Sequence, residues 1–208
     1  MASVGLVSLG LTASVELRIN QEIKKQFAAK RFTKTNGTVP FVYPLFSQCD
    51  KVWGDDVMVT KTVCDVGCLM SSTSMALSGT GILIPTTSTS LTQSNPGSLN
   101  TWLKANGGYD DSNDFIESVA HEIDTSRVFW PSDAMHPTND LSFATIVGYL
   151  EKGRVVIANV NSGHHFVLVV GYSADGDTLI VNDPGYDRDA YSYGKDIVGW
   201  RLFDMVRV

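Results

Sequence analysis

The hydrophobic pattern of this chain changes period once, at Gly153, and that change restricts the fold more than any single motif. Before it, apolar residues recur at helical spacing: Val15, Ile19, Ile23 and Phe27; Leu99, Trp102 and Leu103; Phe115, Ile116, Val119, Ala120 and Ile123; Phe143, Ile146, Val147 and Leu150. After it, residues 154–160, 165–172, 178–182 and 197–206 read as strands, with Asp175-Gly176 as a hairpin turn between the second and third. Helices followed by sequentially paired antiparallel strands predict an α+β domain. The 208 residues suffice for one domain with a sizeable core and require no second.

The punctuation supports this division. Asn95-Pro96 opens a helix that Asn106-Gly107 stops, Asn113 opens the next, and a third begins near Asp140. Thr35-Asn36-Gly37-Thr38 reads as a turn, and the Thr/Ser/Pro-rich residues 80–98 as a loop across the surface. Residues 1–14 are small and apolar, like a signal h-region, although no Lys or Arg precedes them; a frayed end or N-terminal strand is the other reading. Residues 15–34 form an amphipathic helix with a basic, solvated face, and 35–208 the main domain. The net charge of −6 comes with no basic stripe, which argues against nucleic acid as a partner. With no apolar run of about 18 residues, nothing in the sequence is read as crossing a membrane. The chain is read as a monomer.

Asp65-Val66-Gly67-Cys68 delivers a cysteine to the start of a helix. Asp65 is suited to cap it, Gly67 allows a close backbone approach, and small and apolar residues then run without a breaker to Gly79. A thiol in a first helical turn lies at the positive end of the dipole, which favours the thiolate. Taken alone, the stretch leaves two readings open: a nucleophile, or a structural Cys packed among Met70, Met75 and Leu77.

The strand Gly163-His164-His165-Phe166-Val167 opens with two histidines, and the next strand closes on Asn182-Asp183-Pro184. Across an Asp-Gly hairpin, the end of one strand lies beside the start of its neighbour. That brings His164 or His165 next to Asn182 or Asp183, a base beside its orienting group. Side chains alternate along a strand, so only one of the two histidines is expected to address a site. Gln48, twenty residues before Cys68, would add an oxyanion donor to the Cys68 backbone N–H.

Together, Gln48–Trp53–Gly54, Gly67-Cys68 entering a small-residue helix, Gly153-Arg154 before a β-run, His165-Phe166 leading into Gly171-Tyr172, and Asn182-Asp183-Pro184 resemble the bacteriocin-processing-peptidase-like (double-glycine-peptidase-like) family. The likeness covers roughly residues 45–206. It implies a papain-like cysteine peptidase fold acting on peptide or protein substrates without a cofactor. Cys68 would be the nucleophile, His165 the general base, Asp183 the orienter and Gln48 the oxyanion donor, with Trp53, Gly67 and His164 on the substrate side. The chain departs from the family in carrying Leu69-Met70 where Gly-Pro usually follows the cysteine. No transporter domain follows, so export-coupled leader processing is not implied. A peptidoglycan stem-peptide hydrolase, or an inactive peptide- or glycan-binding module on the same scaffold, is the alternative.

With Cys68 assigned, Cys49 and Cys64 remain as an even pair fifteen positions apart. A bridge between them would tie the Gln48 segment to the Cys68 helix, and would favour a secreted or lysosome-like location over a cytoplasmic one. No metal is expected. His121-Glu122 lacks a second His one turn on, His136 lies in a loop before Pro137, and the acidic runs 110–114 and 183–189 lack calcium-loop spacing, reading as a cap region and a solvated loop. Trp102, Trp130 and Trp200 are expected in the core.

Overall fold

The computed structural model describes residues 37–207. The expected signal segment at 1–14 and the expected helix at 15–34 lie outside them. The first strand, β1 (Gly37–Thr38), pairs antiparallel with Ser173 and Tyr172, where a turn was expected. Gly37 suits this place because a Cβ would lie 2.9 Å from the Tyr172 carbonyl oxygen, besides crowding the Ile180 side chain, so glycine lets the backbone close on the sheet.

Residues 39–62 run without regular structure into α1 (Val63–Val66) and then α2 (Cys68–Thr80). Asp65 does not cap α2. It sits at the third position of α1, where its carboxylate accepts from the backbone N–H and hydroxyl of Thr62 while the Thr62 hydroxyl accepts from the Asp65 N–H. Nor does α2 stop at Gly79; it runs to Thr80 and ends on Gly81 in the left-handed region at φ 75°. Gly79 serves packing instead, since a Cβ there would meet the Tyr43 ring at 2.4 Å. Ser71, Ser72, Thr73, Ser74, Met75, Ala76 and Leu77 are all buried, so α2 is enclosed around its circumference and needs no apolar stripe. Most of its hydroxyls find carbonyls: Thr73 donates to Leu69, Ser74 to Ser71, and Ser72 across to Phe166, while the buried Ser71 hydroxyl makes no hydrogen bond.

The Thr/Ser-rich stretch expected as a loop is a hairpin, β2 (Leu83–Thr87) with β3 (Ser90–Gln93), its register shifting between Pro85 and Thr87. Proline, lacking an N–H, breaks the alternation that would have revealed the strand. The next helix, α3 (Pro96–Ala105), is where the punctuation puts it, with Asn95 capping and Asn106 ending it. Asn113 opens no α-helix. It is left-handed at φ 72°, and its side-chain oxygen accepts from the N–H groups of Val59, Thr60 and Lys61 at 3.1, 2.7 and 3.0 Å. The Asp110 carboxylate takes the Ser112 and Asp114 N–H groups at 2.8 Å each. The helix that follows is a 3-10 helix, at Glu117–Ile123.

Two short strands, β4 (Val128–Phe129) and β5 (Met135–His136), precede α4 (Phe143–Glu151), which Ser142 caps. Then come β6 (Val155–Val160), β7 (His165–Ser173), β8 (Thr178–Asn182), β9 (Ala190–Ser192), the single turn α5 (Tyr193–Asp196) and β10 (Gly199–Met205). The strands make an antiparallel sheet ordered β4-β10-β6-β7-β8-β9, with β1 on the end of β7 and β5 beside β10. Val156, Ala158, Val160, Val167 and Val169 build the core on one face with Ile146 and Leu150 of α4. Helix α2 packs against β7 and β6. Trp200 is fully buried and Trp102 nearly so, whereas Trp130 is half-buried against Phe203.

Candidate active site

Three chain positions set the site: the first residue of α2, the first of β7 and the one just past β8. Cys68, His165 and Asp183 occupy them. Gly67 joins α1 to α2 so tightly that a Cβ would lie 2.5 Å from the Val63 carbonyl oxygen. Its role is that junction; it does not line the cleft. The Cys68 N–H is among the first-turn donors that an α-helix cannot satisfy from within.

His165 is 5% exposed and Asp183 3%. His165 Nε2 donates to Asp183 Oδ1 at 2.7 Å, and the Cys68 side chain also acts on the imidazole. The same Asp183 oxygen accepts from the Gly185 and Tyr186 N–H groups at 2.8 and 3.0 Å, and Oδ2 accepts from the Tyr191 hydroxyl at 2.7 Å. Burial alone would raise the Asp183 carboxyl, yet bonds from His165, Tyr191, Gly185 and Tyr186 hold it below the ordinary carboxylate range. Burial likewise opposes charge on His165, but its bonds to Asp183 and Cys68 prevail and push it up to about 9. The imidazole therefore carries its proton through the neutral range. Asn182 does not compete for the histidine, because its amide donates to the Tyr43 and Pro44 carbonyls at 3.2 and 2.9 Å.

Gln48 is 7% exposed and bound to both sides of the site. Its backbone N–H donates to the Pro184 carbonyl at 2.8 Å, and Nε2 donates to the Cys64 carbonyl at 2.6 Å, which leaves the second Nε2 hydrogen uncommitted. A disulfide joins Cys49, next to Gln48, to Cys64, four residues before Cys68; Cys68 is a free thiol.

Gln48, Cys68 and His165 line a cleft of about 650 Å³ with an apolar wall that includes Leu69, Met70, Phe115 and Phe166. Trp53 is not part of it. Its ring nitrogen donates to the Ser47 carbonyl at 2.8 Å and its face meets Phe46 edge-on, so it braces the Gln48 segment from outside. His164 does line the cleft, alongside His165. Strand alternation fails to separate the two because His164 precedes β7, with φ −103° and ψ 5°.

Sequence reasoning missed several members of the site. Tyr186 and Gly185 belong to the run expected as a solvated loop, but that run folds back over the site. The Tyr186 ring meets His165 edge-on at 4.9 Å, and a Cβ on Gly185 would lie 2.8 Å from the imidazole. Arg201 reaches the opposite cleft wall from β10, its Nε donating to Glu117 at 2.6 Å. Asn113 anchors the 59–61 loop at the cleft edge, and its partners lie more than fifty residues away, beyond any local pattern. His121 and His136 are spent elsewhere, on the Val128 carbonyl and on Asp140.

The model of the Peptidase_C39 like family matches residues 42–201, a span that holds every one of these site residues. No curated protein and no solved structure matches the chain.

Proposed function

The chain belongs to the Peptidase_C39 like family, with an α+β papain-like fold, and from that premise we propose that it hydrolyses peptide bonds through a thioester on Cys68. The observation that carries this reading is the buried His165–Asp183 pair at 2.7 Å in the same cleft as the free thiol of Cys68. The proton shared by Cys68 and His165 resides on the imidazole, and Asp183 keeps that imidazolium aligned. The thiolate attacks the scissile carbonyl carbon, and the oxyanion that forms meets the Cys68 N–H and the spare hydrogen of Gln48 Nε2. As the C–N bond breaks, His165 passes its proton to the departing amine. His165 then deprotonates a water that attacks the thioester, releasing the carboxylic acid product and restoring the thiolate beside the imidazolium.

Substrates are peptides or proteins laid along the cleft, with Leu69 and Met70 in the wall beside the nucleophile. The Cys49–Cys64 bridge supports maturation in an oxidising compartment, hence secretion. The test is alkylation of native protein with iodoacetamide followed by peptide mapping, alongside peptide hydrolysis by wild type and Cys68→Ala. Selective labelling of Cys68, with hydrolysis lost in the folded variant, is expected. Native protein that neither labels at Cys68 nor cleaves any peptide pool would instead identify an inactive binding module.

A further inference from the structure

We propose that Tyr191 is a positioning residue of this site, its hydroxyl fixing the outer oxygen of Asp183 and thereby the angle at which Asp183 holds His165. The inference rests on the cysteine-peptidase reading for its catalytic meaning, but its physical content is the geometry of three buried side chains. Tyr191 lies at the centre of β9 and is 1% exposed. A phenol with no route to water needs a partner, and this one spends its single donor on Asp183 Oδ2 at 2.7 Å. On Asp183, Oδ1 already receives His165 and two backbone N–H groups, all from the 165 and 185–186 side. Those three bonds share one oxygen and leave the carboxylate free to pivot about it. The Tyr191 bond on the second oxygen removes that freedom.

The tyrosine is itself fixed from behind. The Arg188 guanidinium stacks over its ring at 3.7 Å from the centroid, donates to the Ala190 carbonyl at 2.8 Å and pairs with Asp196 at 2.6 Å. A cation over the face draws charge from the phenol and strengthens its hydroxyl as a donor. An ordered line therefore runs from a surface ion pair to the thiol: Asp196, Arg188, Tyr191, Asp183, His165, Cys68. The charged and titratable groups that bear on His165 along it are Asp183 and Cys68, and those that bear on Tyr191 are Asp183, Arg188 and Asp196. Ring packing alone would explain a buried aromatic on this face, since Tyr191 joins the core around Val181 and Leu179. It would not explain the hydroxyl.

Tyr191→Phe keeps the ring and removes the donor. With full-length protein, the NMR titration of the His165 ring is expected to midpoint about one pH unit lower than in wild type, a tenfold change in the acid constant. In peptide hydrolysis kcat is expected to fall roughly tenfold with KM little changed. An unmoved His165 titration in folded Tyr191→Phe overturns the proposal and leaves a packing role. Wild type supplies a second readout should the variant fold poorly. The Tyr191 hydroxyl proton, sharing a carboxylate with His165, should shift with the same midpoint as the imidazole; a resonance indifferent to that titration overturns the proposal equally. Because both NMR readouts need no turnover, they separate failure here from failure of the peptidase reading, which would show as absent hydrolysis in wild type.

Discussion

The two neighbouring histidines separate the local readings most sharply. Both line the cleft, but only His165 has its far nitrogen on a buried carboxylate. His165→Ala should cost at least 10³-fold in kcat/KM, whereas His164→Ala, exposed and off that network, should cost less than about tenfold. The reverse ranking would remove His165 from its role. The charge state of His165 also predicts a pH profile. Its proton is held up to about 9, so the imidazolium available to the leaving amine is lost as pH rises past that value. Activity should therefore show an alkaline limb near 9, displaced toward 6.5 in Asp183→Asn. The same shift acts on stability. The folded value exceeds the ordinary 6.5, so the contribution is complete below about 6.5 and disappears as pH climbs through about 9. Denaturant midpoints of wild type against Asp183→Asn should converge above pH 9, and a gap that widens with pH would contradict this sign.

Among the elements, those that signal themselves by repetition were legible and those fixed by one distant contact were not. The strands β6, β7, β8 and β10 and the helices α3 and α4 follow from period, caps and the Asp175-Gly176 turn, and the hairpin does bring β8's end beside β7's start. The β2–β3 hairpin was hidden by Pro85 and by threonines that suit loop and strand alike. The missing helix after Asn113 was hidden because Phe115, Ala120 and Ile123 are all buried, Phe115 from a β-bridge with Tyr109 and the other two from a tight 3-10 segment. Asn113 itself gives the clearest test at this scale. Its one oxygen takes three backbone donors of the 59–61 loop, and its left-handed φ of 72° suits Asn better than most residues. Asn113→Ala should destabilise by roughly 2–4 kcal/mol, since several part-buried N–H groups lose their acceptor and Ala resists the backbone angle. Urea denaturation measures it. A loss under about 1 kcal/mol would mean that water replaces the side chain and the loop is not held by it.

For the molecule as a whole, the question is what keeps two chain segments in register when one carries Gln48 and the other Cys68. The sheet does so on one side, through the Gln48 N–H on Pro184 and the His165–Asp183 pair. On the other side the link is the short loop closed by Cys49 and Cys64, spanned by the Gln48 amide on the Cys64 carbonyl. A bridge over fifteen positions should stabilise by about 3 kcal/mol through the unfolded chain alone. For a domain of this size that is roughly 6–12 °C in Tm. If the bridge also positions, its removal has a second effect that stability does not predict. The Cys49→Ser/Cys64→Ser variant, assayed well below its Tm, should keep selective alkylation of Cys68 while kcat falls several-fold and KM barely moves, because the loosened part is the oxyanion donor. Equal kcat in variant and wild type under those conditions would reduce the bridge to a staple. Free alkylation of both cysteines in denatured, unreduced protein would remove it altogether, and with it the support for an oxidising compartment.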